Sequence, residues 1–196
     1  MFIELTDHLR CPVEHEEAFL VLLPDAIDGR SVRRGTLACP VCDRRFTIRD
    51  GVFDTGDAVQ SPGQPRTRLA PGALAPLAGL NGPGGYLVLV GEPATGWREV
   101  ADLIPGVGLV AVNPPAELAD QPGVSVIRSA RLPIKTHSMR GVVLGPPYGS
   151  DSGWVREAAR VLLPGLRMVG EGPNPPDDAL DLMASADGVW VGTPRR

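Results

Sequence analysis

Short apolar runs alternate with helix-like patterns along the C-terminal half of the chain. Most of these runs lack charged residues, which is typical of strands buried on both faces of a sheet. The predicted strands span residues 87–90, 108–112, 124–127, 141–144, 166–169 and 188–192. Apolar residues recur at helical spacing in three other segments, so the predicted helices span residues 97–104, 154–163 and 177–186. Strands that alternate with helices predict an α/β fold with a parallel sheet.

Composition divides the chain into three parts. Residues 1–55 hold all three cysteines, residues 56–85 are rich in Pro, Gly and Ala, and residues 86–196 carry the alternating pattern. Sequence rich in Pro and Gly is typical of linkers, although residues 69–80 have the apolar spacing of a short helix. We therefore predict a small β-rich module at 1–55, a linker at 56–85 and a shortened α/β domain at 86–196.

Composition and charge narrow the class of protein. The 196 residues are 43% hydrophobic, which is enough for one packed domain and a small module. The net charge of −4 gives no general attraction to phosphate, so nucleic-acid binding would need a local basic patch and is left open. The N-terminus has no signal-peptide pattern, and no apolar stretch approaches the roughly 20 residues of a membrane span. We expect a soluble, cytoplasmic protein without a membrane partner.

The three cysteines provide the clearest local signal. Cys39 and Cys42 are separated by two residues, and thiolates on such a turn can both reach one tetrahedral zinc at about 2.3 Å. Cys11 begins a similar turn, but Glu14 stands where a fourth thiol is expected. Zinc also accepts imidazole, and His15 is the next residue. The predicted metal ligands are Cys11, His15, Cys39 and Cys42, with Glu14 or His8 as alternatives for the fourth position.

Three segments of the N-terminal module form a motif set. They are LRCPV at 9–13, GTLACPVC at 35–42 and FTIRDGV at 46–52. Together they resemble the zinc-ribbon activators of methyltransferases, the Trm-one-twelve family. The resemblance implies a ribbon with a structural zinc that binds a methyltransferase domain and performs no chemistry itself. Glu14 departs from the family pattern because it replaces a thiolate ligand.

Loops after the predicted strands carry the motifs of the C-terminal domain. They are GEPATG at 91–96, LPI at 132–134, GPPY at 145–148 and ARVLLPGLRMV at 159–169. These segments resemble class I methyltransferases that use S-adenosylmethionine. The resemblance implies a shortened Rossmann-like sheet after the small β-rich zinc-ribbon module. If the cofactor pocket works, the resemblance implies that the cofactor is bound by Gly91, Glu92, Gly96 and Asn113.

The site residues depart from that family at four positions. Leu89 stands where an acid usually ends the first strand, Asn113 replaces the acid that holds the ribose, and Ser129 replaces the acid after the third strand. Gly145 stands where Asn or Asp would hold the target nitrogen of an amino-group methyltransferase. Losing two acidic contacts, at roughly 1.5–3 kcal/mol each, would move a micromolar cofactor site toward millimolar.

These patterns favour a non-catalytic pseudo-methyltransferase that acts as a binding or scaffold protein. The ribbon would dock on a methyltransferase-like domain, either in cis or in a partner. The expected partner is a protein, with a methyltransferase or a ribonucleoprotein as candidates, and the expected metal is a structural zinc. The alternative is an active methyltransferase acting on an amino group of RNA or protein, with Glu92 and Asn113 binding S-adenosylmethionine.

Overall fold

The computed structural model describes residues 1–58, 66–115, 118–119, 121–173, 175 and 180–195. The strands are β1 (Val21–Asp28), β2 (Ser31–Ala38), β3 (Arg45–Arg49), β4 (Val52–Asp54), β5 (Tyr86–Val90), β6 (Gly108–Val112), β7 (Val124–Arg128), β8 (Gly141–Leu144), β9 (Met168–Glu171), β10 (Leu180–Ala186) and β11 (Val189–Pro194). The helices are α1 (Pro71–Leu77), α2 (Trp97–Leu103) and α3 (Ser152–Val161), and 3₁₀ turns span Ile3–His8, Glu92–Gly96 and Tyr148–Ser150. The six predicted strands and the first two predicted helices of the C-terminal half are confirmed, with ends that shift by at most two residues.

All of these strands belong to one sheet. Their order is β1-β2-β3-β4-β7-β6-β5-β8-β9-β11-β10. Strands β1 to β4 form an antiparallel meander, whereas β4 to β9 pair in parallel and β11 runs antiparallel to both of its neighbours. Counted from β5, the order is 3-2-1-4-5-7-6, so the winding direction reverses at β5. The α/β fold class with a Rossmann-like sheet is confirmed.

Strand β4 joins the N-terminal module to the C-terminal sheet. It pairs in parallel with β7, matching Val52 with Val126, Phe53 with Ile127 and Asp54 with Arg128. The Phe53 ring is fully buried and meets the Phe46 ring edge-on, with centroids 6.2 Å apart. The N-terminus makes a second contact with the C-terminal sheet, because the backbone N–H of Phe2 donates a hydrogen bond to Oγ of the buried Ser125 (2.9 Å). The N-terminal module is therefore docked in cis, as an extension of the sheet.

Each face of the central strands has its own core. On one face, the N-terminal module and α3 pack together through residues such as Leu9, Phe46 and Val155. On the other face, α1 and α2 pack through residues such as Leu74 and Val100.

In the part of the chain described above, no helix has the length and hydropathy needed to cross a bilayer.

Part of the segment predicted as a linker packs against the C-terminal sheet. Helix α1 falls within the predicted helix at 69–80 and buries Leu74 in the second core. Just before it, the backbone N–H of Arg68 donates to Oε2 of the buried Glu171 (2.8 Å), and the Thr67 hydroxyl donates to the other carboxylate oxygen. Residues 59–65 of the segment lie outside the described residues.

The helix predicted at residues 177–186 is wrong, because the chain is a strand from residue 180 onward. Strand β10 forms an antiparallel hairpin with β11, and its Leu182 and Met183 side chains are 50% and 52% exposed. The two strands are joined by Asp187 (φ 52°) and Gly188 (φ 77°), the pair of positive φ angles that a tight hairpin turn requires. The Asp-Gly turn is the stronger signal here, because the short apolar spacing before it fits both a helix and a strand. Residues 177–179 are outside the described residues.

Candidate metal centre and the crevice at the sheet edge

Two backbone turns bring the predicted metal ligands together. Cys39 follows β2, and the chain turns back so that the N–H of Asp43 donates to its carbonyl (3.1 Å) while its own N–H donates to the Arg44 carbonyl (2.9 Å). This turn places Cys42 beside Cys39. The second turn is closed by the N–H of Cys11, which donates to the Ala18 carbonyl (2.9 Å) and folds the intervening loop over the first turn.

The four side chains have the spacing of a tetrahedral zinc site. The ligand atoms of Cys11, His15, Cys39 and Cys42 all lie within 4.8 Å of one another. Sγ of Cys11 is 3.7 Å from Sγ of Cys42, and Sγ of Cys39 is 3.5 Å from Nε2 of His15. Zinc bond lengths of about 2.3 Å to sulfur and 2.0–2.1 Å to nitrogen give tetrahedron edges of about 3.8 and 3.5 Å. The donor set therefore fits zinc, and this cluster could hold one ion.

The surroundings of His15 favour its role as the fourth ligand. Its Nδ1 lies 2.5 Å from the carbonyl oxygen of Glu16, which orients the ring and leaves Nε2 toward the thiols. Neither of the other two candidates belongs to the cluster among the described residues. The His8 ring instead packs edge-on against Tyr86, with centroids 5.2 Å apart, and Glu14 lies outside the group of ligand atoms.

The thiols have unequal pKa values in the metal-free chain. Burial raises the pKa of the Cys11 thiol to about 12. Burial acts in the same direction on Cys39, but hydrogen bonds from the backbone of Cys42 and Val41 outweigh it and lower its pKa to about 7. A metal ion binds thiolates, so it would displace the remaining protons on binding.

The crevice where an open α/β sheet usually binds ligands is filled by the chain itself. Such ligands bind at the carboxyl edge, where the strand order reverses, which here is the edge between β5 and β8. After β5, Gly91 has φ 74° and ψ −138°, a conformation open essentially to glycine only. It directs the next residues into a 3₁₀ turn that buries Pro93 and Ala94. A Cβ on Gly145, just after β8, would lie 2.3 Å from Cδ of Pro93.

Gly145→Asn is expected to destabilise the protein and to restore no cofactor binding. The variant recreates the Asn-Pro-Pro-Tyr motif, but its side chain must displace the rigid Pro93 ring, at a cost of about 1–3 kcal/mol. Urea unfolding measures the free energy of unfolding, and calorimetry measures the affinity for S-adenosylmethionine. Gly82→Asn is the matched control, because nothing lies within 4 Å of a Cβ at Gly82. A stable Gly145→Asn variant with micromolar affinity would contradict this interpretation.

The predicted cofactor-binding residues have structural partners. The backbone N–H of Thr67 donates to Oε2 of Glu92 (2.9 Å). Asn113 clamps the loop after β7, because its Nδ2 donates to the Ser129 carbonyl (2.7 Å) and its Oδ1 accepts from the Ser129 N–H (2.9 Å). Gly96 allows close packing, since a Cβ there would lie 2.5 Å from Cγ of Pro71. The structure gives each of these residues a structural role, as it does Gly91.

A separate cavity of about 450 Å³ lies farther along the same edge. It is lined by Asn113, Ser129, Ala130, Pro147, Tyr148, Ser150, Asp151 and Trp154. The Tyr148 and Trp154 rings meet edge-on, with centroids 4.7 Å apart, and Asp151 caps α3 by accepting from the Trp154 N–H (3.0 Å). This cavity brings Asn113 close to the Pro-Pro-Tyr segment but excludes the glycine-bearing loop after β5.

Four charged side chains that the sequence analysis did not single out connect the N-terminal module to α3. Arg10 lies 3.5 Å from both Glu17 and Glu157, and Arg160 lies 2.9 Å from Glu157 and 3.8 Å from Glu17. Glu17 also accepts from the backbone N–H of Thr136 (3.0 Å). The loop that carries two candidate metal ligands lies between Arg10 and Glu17, so the metal centre and this interface share one segment. These four side chains form a charged ring. No local sequence signal marks the ring, because Arg10 and Glu17 are far from Glu157 and Arg160 in the chain.

Comparisons with known proteins return structural similarity only. No protein-family model and no curated protein matches the sequence. A complex between the Haloferax volcanii Trm112 methyltransferase activator and a methyltransferase matches 46% of this chain and 46% of that chain, at 19% identity and a TM-score of 0.40. The cyclase SpnF matches 59% of this chain and 51% of its own, at 14% identity and a TM-score of 0.41. The antibiotic-resistance methyltransferase Kmr matches 63% and 92%, at 12% identity and a TM-score of 0.43. The chain spans about half the length of the first two.

Proposed function

We propose that this chain is a non-catalytic pseudo-methyltransferase, a binding or scaffold protein whose zinc ribbon is docked on its own methyltransferase-like sheet. The zinc would be held by Cys11, His15, Cys39 and Cys42. Four protein ligands fill a tetrahedral site and leave no open position for water or substrate. The metal would therefore stabilise the ribbon and would not take part in a reaction.

The closed crevice is the observation that carries this proposal. Pro93 occupies the point where the strand order reverses, and Gly145 has no side chain because that space is taken. The polar groups that a cofactor would need are already paired, since Glu92 and Asn113 bind backbone groups of the chain. Releasing them would cost their present hydrogen bonds before any new bond formed.

The cis docking supports a scaffold in which the ribbon completes its own partner domain. β4 covers the edge of β7, an edge that would otherwise present unpaired backbone groups. The ring of Arg10, Glu17, Glu157 and Arg160 fixes the orientation of the two parts. A further protein partner would therefore have to bind other surfaces of the chain.

The cavity beside Tyr148 is the one observation that favours the rival function. An active methyltransferase would place a substrate amino group near Pro147 and Tyr148 and the cofactor near Asn113. The lining residues have the polar and aromatic groups typical of a small-molecule site. For this rival, the loop at Glu92–Gly96 would have to move off the crevice before the cofactor could bind.

Isothermal titration calorimetry with S-adenosylmethionine and S-adenosylhomocysteine tests the proposal, after zinc has been assayed on the same batch. We expect no binding up to millimolar ligand, together with about one zinc per chain. Adenosine alone serves as a control for weak occupancy of the cavity near Trp154. Micromolar binding of either cofactor form would overturn the proposal, and its loss in Glu92→Ala would then support the rival.

A further inference from the structure

One exposed surface of the extended sheet is rich in arginine. We define the arginine face as the outward-pointing side chains of β2, β3, β4 and β7 near their junction. It consists of Arg34, Arg45, Thr47, Arg49, Asp54 and Arg128. Alternation along β3 shows why these residues share a face, because Phe46 and Ile48 are buried in the core on the opposite side.

Strand register fixes the spacing of the arginines. Thr47 pairs with Asp54 and Asp54 pairs with Arg128, so these three side chains form one row across the sheet. Arg45 and Arg49 lie two residues to either side of that row on β3, about 13 Å apart at 3.3 Å per residue. Neighbouring strands are about 4.8 Å apart, which puts Arg128 about 12 Å from each. A hollow of about 220 Å³ lies between Arg49 and Arg128.

The arginines of this face lack partners within the described residues. Arg34, Arg45, Arg49 and Arg128 have no ion pair or side-chain hydrogen bond there, and Nε of Arg128 is buried without an acceptor. Several arginines elsewhere are paired, as Arg160 is with Glu157. Gly35 pairs with Ile48 at the end of the β2–β3 ladder, and Arg34 and Arg49 are the next residues on the two strands, so both lie at that end. Like charges on neighbouring strands are destabilising when they lie close together, and a bound anion would relieve that cost.

Among the described residues, the acids beside these arginines include Asp54, Asp50 and Asp43, and Asp43 lines a pocket together with Arg45. Asp54 is within the row and accepts a hydrogen bond from the Gly56 N–H (2.7 Å), and Asp50 is in the turn after β3. The four arginines of the face outnumber these three aspartates, although the whole chain has a net charge of −4. Attraction of an anionic partner would be confined to this face and would be sensitive to salt.

We propose that the arginine face binds the phosphate backbone of a nucleic-acid strand. Arginine suits phosphate because its planar fork donates two hydrogen bonds at once. A nucleic acid carries one charge every few ångströms, so a single strand can reach all four arginines, whereas acidic side chains on a folded protein are sparser. None of the six side chains is aromatic, so the face offers no base stacking and its contacts are independent of sequence.

This inference names the partner class of the proposed scaffold, and it can be tested without any methyltransferase cofactor. The probe is a labelled single-stranded RNA of about 20 nucleotides, with DNA and duplex RNA of the same sequence alongside, followed by fluorescence anisotropy. Four phosphate contacts predict that log K falls with log salt with a slope of about −2.8. Cofactor binding in calorimetry would sink the scaffold proposal and leave this inference standing.

Charge reversal at two arginines is the decisive variant. Arg45→Glu with Arg49→Glu is expected to weaken RNA binding about tenfold or more and to halve the salt slope. Arg167→Glu with Arg195→Glu is the control of equal charge change, since both side chains are exposed and neither lies on the arginine face. Arg195 pairs with Asp181 (3.0 Å), and the loss of such an exposed ion pair costs at most about 1 kcal/mol of stability. The corresponding Gln variants of Arg45 and Arg49 separate lost contacts from added repulsion, and thermal melts check folding.

Three results would overturn the inference. The first is an absence of RNA binding by the parent protein at about 50 mM salt. The second is an equal loss of affinity in the face variant and the control, which would indicate attraction by net charge alone. The third is competition by poly-glutamate as strong as that by RNA, which would make the arginine face a docking site for acidic protein.

Discussion

Cys42→Ser is expected to abolish zinc binding and to lower the melting temperature by about 10 °C or more. Cys42 is only half-buried, so the replacement of sulfur by oxygen costs little packing and the loss reports on the metal. Structural zinc contributes about 10–16 kcal/mol of binding free energy in isolated zinc fingers. If only about 4 kcal/mol of this stabilises the fold here, its loss lowers the melting temperature by about 10 °C, because each kcal/mol shifts it by roughly 2–4 °C. Metal analysis of the purified protein and a thermal melt are the measurements.

Three further variants decide the fourth ligand. His15→Ala should lower zinc content, because its Nε2 lies 3.5 Å from Sγ of Cys39. Glu14→Gln and His8→Ala should leave zinc content at that of the parent, since neither side chain belongs to the cluster. If Cys42→Ser retained both its zinc and its melting temperature, the site would be a packed thiol cluster without a metal role.

The cysteines of the candidate metal cluster could be predicted from the sequence because ligand chemistry is local. Two thiols separated by two residues lie on one turn, and that turn needs no knowledge of the rest of the fold. The choice among His15, Glu14 and His8 could not be made in this way. It depends on how the loop after Cys11 folds over the turn at Cys39, which is a tertiary contact.

The strands of the C-terminal half were predictable for a similar reason, since most of them are short and mainly apolar runs. The exception, residues 180–186, carries a short pattern compatible with helix or strand, and the Asp187-Gly188 turn decides it. The pairing of β4 with β7 has no such signal. The register of Phe53 against Ile127 depends on two segments more than seventy residues apart meeting at one sheet edge.

The departures from the methyltransferase pattern acquire a physical meaning only in three dimensions. From the sequence alone, Gly145 and Asn113 are positions at which the functional side chains of the family are missing. In the structure, Gly145 provides the space that Pro93 fills, and Asn113 holds the ends of two strands together. Substituting one site residue back to the family's type would therefore remove a packing or clamping contact, and recovering a pocket would need several changes at once.

Phe53→Ala is expected to destabilise the whole chain by about 3–5 kcal/mol in a single unfolding transition. Phe53 is 0% exposed and lies in the core that contains both ribbon residues such as Ile48 and central-strand residues such as Ile127. Because both parts of the chain bury surface in this core, neither should unfold alone when the ring is removed. Urea unfolding followed by tryptophan fluorescence and by far-ultraviolet circular dichroism gives the free energy and tests whether the two signals coincide.

Phe19→Ala is the matched control for the same chemical change at an exposed position. Phe19 is 47% exposed, and its main partner is the Lys135 ammonium, 4.6 Å above the ring centroid. A cation–π contact of this kind contributes about 0.5–1 kcal/mol, so the control should cost no more than that. Two separate transitions, with only the earlier one moved by Phe53→Ala, would show a ribbon that folds on its own and touches the sheet weakly. If there is a single unfolding transition and only Phe53→Ala shifts it, ribbon and sheet unfold as one cooperative unit. The addition of β4 to the sheet would then be the contact that holds them together.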